Sequence, residues 1–403
     1  MADPLANVRL ALFLTRGMSL RAWDEIGLLD REAAPYRRLE RMLRRVMFVT
    51  YGDRQDLAYA ARLGGIRVHC NRWRASPQLY ERYLTKVMPW SWRGPVVVKS
   101  NQVQGAEIAL AAARRRGKPF IARCGYLPSD NMERSHGADS PETKRAQALE
   151  RHVFSAADRV VVTTTTMRET VIRRYQLQAD GVRVIPNYVD TSLFAPSGDE
   201  SRRANQVLYV GRLDEEKNPR ALLAAIEGMD VELVMVGKGS QGEALHREAS
   251  ERRLRVRFLG NVPNQELPRL LNSSAALVMP SLIEGHPKAL LEGMACAVPV
   301  IGTNVPGIRE LLIHRVTGLL CEPSPESLRT AIKDVLGHRQ LGARLGAAAR
   351  SYVADRFSLE RVVDMELALL DEVAMEIRTP QLLASGAEPT ALVRPQGSRR
   401  LLS

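Results

Sequence analysis

The run Met279-Pro-Ser-Leu-Ile-Glu-Gly-His-Pro-Lys-Ala-Leu-Leu-Glu-Gly-Met-Ala295 holds the signal that decides the fold. An apolar stretch, Ala275 to Met279, reads as a buried strand, and Pro287 falls at the expected first position of a helix, where its missing N–H costs nothing. A strand, a short loop and a helix make one α/β unit. The pattern repeats in both directions, with strands expected at Val207 to Val210, Val231 to Val236, Val256 to Leu259 and Val298 to Gly302 and helices between them. Upstream, six further strands are expected: Val8 to Thr15, Val46 to Thr50, Val96 to Lys99, Phe120 to Arg123, Val160 to Thr163 and Val182 to Ile185. The chain therefore reads as α/β, with two Rossmann-like doubly wound domains facing across a cleft.

Between the halves, Phe194 to Asn205 lacks apolar periodicity and reads as a linker. The expected units are residues 1–196, residues 197–355, a helix within 356–378 that returns to the first domain, and a frayed tail over 379–403. No long apolar run suggests a signal peptide or membrane-spanning helix. Cys70, Cys124, Cys296 and Cys321 are far apart and form no metal or disulfide pattern, which fits a reducing cytoplasm. Of 58 Lys/Arg and 45 Asp/Glu, residues 1–196 hold 32 and 19, so the whole +13 excess lies in the first half. Such a half suits an anionic partner, whether nucleic acid, a phospholipid surface or a phosphorylated substrate, and on charge alone equally fits a solvated arginine-rich surface. Arg37-Arg38, Arg44-Arg45 and Arg114 to Arg116 read as solvated helix faces or, with Trp73, Trp90 and Trp92 nearby in sequence, as a surface that rests on a membrane, and no nucleic-acid motif accompanies them.

In open α/β sheets ligands sit beyond the carboxyl ends of strands. There, the amides after Pro287, at Lys288 and Ala289, point out of the helix unpaired and form an anion site suited to a diphosphate. Glu292, one turn on, can reach back to hydroxyl groups. In Leu208-Tyr-Val-Gly-Arg-Leu-Asp-Glu-Glu-Lys-Asn-Pro219, Arg212 and Lys217 bracket a turn that begins at Gly211, and both cations can reach one diphosphate. Gly237-Lys-Gly-Ser-Gln-Gly242 spells G-x-G-x-x-G, but the acidic residue of a dinucleotide fingerprint is missing about 20 positions on, so it reads as a tight turn near the donor.

In order, Gly211 to Lys217, Val236 to Gly239, Val256 to Val262 and Glu284-x7-Glu292 resemble the donor domain of retaining family 4 glycosyltransferases of the GT-B fold. Ile185-Pro-Asn-Tyr-Val-Asp190 resembles the segment closing their first domain. The resemblance implies that Arg212 and Lys217 neutralise a nucleotide diphosphate. It also implies that Glu284, Gly285, His286 and the backbone after them hold the donor sugar, and that Glu292 binds the ribose. It implies no metal and no organic cofactor. His286 replaces a frequent aromatic residue and Tyr188 a frequent glycine. The first-domain glycine loop is Arg16-Gly-Met-Ser19, where Gly17 would admit phosphate, and Arg123, Tyr126 and Asn187 are expected in the acceptor cleft. The expected activity is transfer of a hexose from a nucleotide-diphosphate sugar to a saccharide or lipid-linked acceptor. The expected place is the cytoplasm, with contact to the inner face of the membrane. A sugar-nucleotide epimerase of the same fold and a non-catalytic basic binding protein are the alternatives.

Overall fold

The computed structural model describes residues 4–86, 95–198 and 202–384. Trp90 and Trp92, and the tail beyond residue 384, lie outside them. Among the described residues, thirteen strands form two parallel sheets. The first contains Arg9–Phe13 (β1), Arg45–Val49 (β2), Arg67–His69 (β3), Val96–Ser100 (β4), Phe120–Cys124 (β5), Arg159–Val162 (β6) and Val182–Val184 (β7), in the order β3-β2-β1-β4-β5-β6-β7. The second contains Arg203–Val210 (β8), Glu232–Val236 (β9), Val256–Gly260 (β10), Ser274–Met279 (β11), Val300–Thr303 (β12) and Leu319–Cys321 (β13), ordered β10-β9-β8-β11-β12-β13.

Both faces of each sheet are covered, because successive side chains of a strand point to opposite sides. Leu10 and Leu12 of β1 join one buried cluster, while Ala11 and Phe13 join the cluster on the other face. Val207 and Tyr209 are divided from Leu208 in the same way in the second sheet. β3 and β13 have no counterpart among the expected strands: each is only three residues long and shows no apolar alternation. Parallel pairing with a longer neighbour creates both strands.

The expected linker is shorter than its composition suggests. Phe194 is buried in a core cluster with Leu208 and Leu277, and Arg203, Ala204 and Asn205 already belong to β8. Tyr188 packs in the first domain's core, and Val189 in the second's. The last helix, Leu359–Ala384, runs past the expected start of a tail at 379. It buries Val362, Val363 and Leu370 with Leu10 and Leu12 of the first domain. Lys99 of β4 is wholly buried and reaches both carboxylate oxygens of Glu366 on that helix at 2.5 Å. An unpaired Lys at that depth would be costly, so the pair fixes where the helix lies.

Candidate active site

The carboxyl ends of β8 and β9 carry two turns packed backbone against backbone. A Cβ on Gly237 would stand 1.9 Å from the Gly211 carbonyl oxygen, and one on Gly239 2.4 Å from Leu213 backbone. Asp214 accepts from both the amide and the hydroxyl of Ser240, at 2.8 and 2.9 Å. The turn then closes through Asn218, whose side chain donates to the carbonyls of Pro280 and Pro323, and Pro219 opens the next helix. This frame presents Arg212 and Lys217 at the sheet's edge. Arg212 is 63% exposed and bonds Asp214 at 2.7 Å and Glu216. Lys217 turns inward to Glu284, 2.8 Å away, and Ser281 donates to the same carboxylate oxygen.

Glu284 and Gly285 lie on the loop after β11. Gly307 meets this loop so closely that a Cβ there would stand 2.1 Å from the Gly285 carbonyl. The helix proper is Lys288–Ala295, so Pro287 is its N-cap rather than its first residue. A single-residue shift keeps the chemistry: the first-turn amides still have no partner four residues back. Burying Gly293 against Leu277 presses this helix onto the sheet.

The first domain closes over the helix start. Arg123 Nη2 donates to Asn187 Oδ1 at 3.0 Å, and Asn187 Nδ2 donates to the His286 carbonyl at 2.6 Å. A Cβ on Gly285 would stand 3.1 Å from the Gly125 carbonyl. Lys288 Nζ lies 2.7 Å from Glu32 and 5.0 Å from the centre of the Tyr188 ring. Glu292 is nearly inaccessible and accepts from Asn264 at 3.0 Å and from Arg31 at 3.3 Å. Burial first, and then the charge of Arg123, lower the His286 imidazole to about 3, so the ring is neutral near pH 7.

Two family models lie end to end on this framework: Glycosyltransferase Family 4 over residues 36–193 and Glycosyl transferases group 1 over residues 194–352. The chain belongs to the group 1 glycosyltransferases. Among curated relatives, glycogen synthase of Mycobacterium tuberculosis (strain ATCC 25618 / H37Rv) is 26% identical over 281 residues, covering 68% of this chain and 67% of its own. The D-inositol 3-phosphate glycosyltransferase of Acidothermus cellulolyticus is 29% identical over 321 residues, covering 72% and 70%. Among solved structures, Anabaena HepE in complex with UDP and glucose superposes with a TM-score of 0.71 at 19% identity, over 90% of this chain and 99% of that one. Sucrose-phosphate synthase from Thermosynechococcus elongatus gives 0.71 at 22% identity, over 94% and 100%. These two likenesses show the GT-B fold, two Rossmann-like domains.

In this glycosyltransferase the structure brings Lys217 to Glu284, and His286, Lys288 and Glu292 to the first domain. Gly211 and Gly237 meet directly. Arg212 stays outward, close enough to Tyr126 for its charge to lower that phenol's pKa, although burial raises it more. Gly17 has a φ of +78° but meets nothing; the close approach in that loop is made by Gly105, whose Cβ would stand 2.9 Å from the Arg16 amide. Arg31, Glu32 and Asn264 were not expected at the site. Arg31 and Glu32 sit in an ordinary amphipathic helix, Leu29–Glu40, and nothing local marks them. No helix among the described residues is long and apolar enough to cross a membrane.

Proposed function

We propose that this glycosyltransferase moves a hexose from a nucleotide-diphosphate sugar to a cell-surface polysaccharide or glycolipid acceptor, with retention at the anomeric carbon and without a metal. The observation that carries the reading is the Lys217–Glu284 pair beside the open start of helix Lys288–Ala295. An incoming diphosphate takes Lys217, the nearby Arg212 and the amides of Lys288 and Ala289. Its negative charge grows as the sugar departs, which is when fixed positive groups contribute most. Glu284, released from Lys217, accepts from hydroxyls of the sugar, and Glu292 accepts from the ribose.

The acceptor enters beside Arg123, Tyr126 and Asn187. The bond between the anomeric carbon and the phosphate oxygen breaks ahead of formation of the bond to the acceptor oxygen. The acceptor's proton passes to the departing phosphate oxygen on the same face, so no side-chain nucleophile is needed. The solved neighbour with UDP and glucose supports a nucleotide-sugar donor. Incubation with UDP-, ADP- and GDP-hexoses and candidate acceptors, with and without EDTA, followed by NMR of the product, tests this reading. An inverted anomer, or activity lost on chelation, would contradict it.

We further infer a place in the cytoplasm, with contact to an anionic membrane surface. Arg41, Arg44 and Arg45 are exposed around the half-exposed Met42, and Trp73 is 62% exposed beside Arg72 and Arg74. Arg9 and Arg45 face each other across β1 and β2. Burial and the charges of Arg44 and Arg45 all lower the Arg9 pKa, the mark of an edge where positive charge is crowded.

A further inference from the structure

Glu292 is the residue whose carboxylate the donor reading gives to the ribose, and the present inference rests on that reading. The two hydrogen bonds to that carboxylate among the described residues both end on Oε1: one from Asn264, one from Arg31 of the other domain. Arg31 is itself held at two further points, one of them anchored in turn. Its carbonyl accepts from the Tyr188 hydroxyl, its Nε lies 3.4 Å from Glu32 Oε1, and Glu32 is anchored by Lys288. Lys288 and Glu292 are four residues apart and share one face of the helix, as neighbours in sequence Arg31 and Glu32 oppose them with the complementary charges. Gly27, at a φ of +74°, brings this segment near the loop after β10, where a Cβ would stand 3.2 Å from the Val262 carbonyl.

We propose that Arg31 is a positioning residue for the donor: with Asn264 it fixes one oxygen of Glu292, so that the other is aimed at the ribose hydroxyls. A carboxylate gripped by one oxygen loses its rotational freedom before the ligand arrives, and each bond it then makes costs less ordering. The pair Glu32–Lys288 holds Arg31 to the task. The nucleotide's ribose thereby becomes sensitive to whether the first domain is closed on the second.

A cycle between protein and ligand tests it, because a merely structural Arg31 would weaken every nucleotide alike. Calorimetry measures binding of UDP and 2′,3′-dideoxy-UDP to the full chain and to Arg31→Ala, with the melting temperature recorded for both. ADP and GDP, with their dideoxy forms, are run in parallel. For the wild-type chain, losing the hydroxyls is expected to weaken binding on the order of 10- to 100-fold. For Arg31→Ala that penalty shrinks to within about threefold, and Arg31→Lys recovers part of it. Arg31→Met, of similar length, serves if the alanine variant does not fold. An undiminished penalty in the variant, or tighter UDP binding by it, overturns the positioning role while leaving the donor site standing. No binding of any of the three diphosphates by the wild-type chain overturns the donor reading, and this inference with it.

Discussion

Lys217 Nζ stands 2.8 Å from Glu284 Oε1, which ties the turn after β8 to the loop after β11. On the proposed reading the cation is held for phosphate and the carboxylate for sugar. Glu284→Gln keeps the shape and a hydrogen-bonding group while removing the charge. It is expected to lower kcat by about 10²–10³-fold with little change in UDP affinity, a magnitude typical of losing one aligned polar group. Steady-state kinetics beside UDP calorimetry reads both quantities.

Two glycines chosen for the same site are expected to behave differently. Gly237→Ala places a methyl 1.9 Å from a carbonyl oxygen that backbone contacts fix, so the second domain is expected to lose about 3 kcal/mol or more. Gly17→Ala meets no atom within 4 Å and bears only left-handed backbone strain, about 1–2 kcal/mol. Urea unfolding of the two variants gives the comparison.

The cross-domain pairs predict two pH effects. Burial raises the Glu32 carboxyl, but Lys288 and Arg31 outweigh it and hold the group down to about 2. Its contribution to stability is therefore present above about pH 4.5 and lost as pH falls toward 2. The melting temperatures of wild type and Glu32→Gln should differ at pH 6 and converge in acid. Burial outweighs Glu32 at Lys288 and lowers it to about 8. Above that pH the pair loses its positive partner, so UDP affinity is expected to fall in wild type and to hold in Lys288→Arg, whose guanidinium stays charged.

Membrane contact predicts flotation with vesicles of phosphatidylglycerol and not with phosphatidylcholine alone, and release by salt. With about 1 kcal/mol per basic residue near the surface, Arg44→Glu with Arg45→Glu should weaken binding on the order of tenfold or more. Equal flotation on both lipids would contradict the electrostatic account.

Most of the strands were legible because parallel, doubly covered strands read as continuous apolar runs, such as Val96 to Val98 and Ala276 to Met279. The helix start near Pro287 was legible for a related reason, since it is set by near neighbours in sequence, whereas the pairing of Lys217 with Glu284 joins side chains 67 residues apart. β3 and β13 were not, since three residues carry too little pattern. Phe194 was placed in a linker because its burial depends on strands distant in sequence. Arg31 and Glu32 were invisible for a stronger version of that reason, since Arg31 meets its partner Glu292 261 residues away, across the two domains.

The most direct test is UDP binding by the wild-type chain and by Arg212→Ala/Lys217→Ala, with uridine as control. Each charge-assisted bond to phosphate contributes roughly 1.5–3 kcal/mol, so loss of two cations should weaken UDP on the order of 10²–10⁴-fold and leave uridine unchanged. Equal UDP affinity in the two proteins would mean that the diphosphate does not lie between these cations and the start of the Lys288–Ala295 helix.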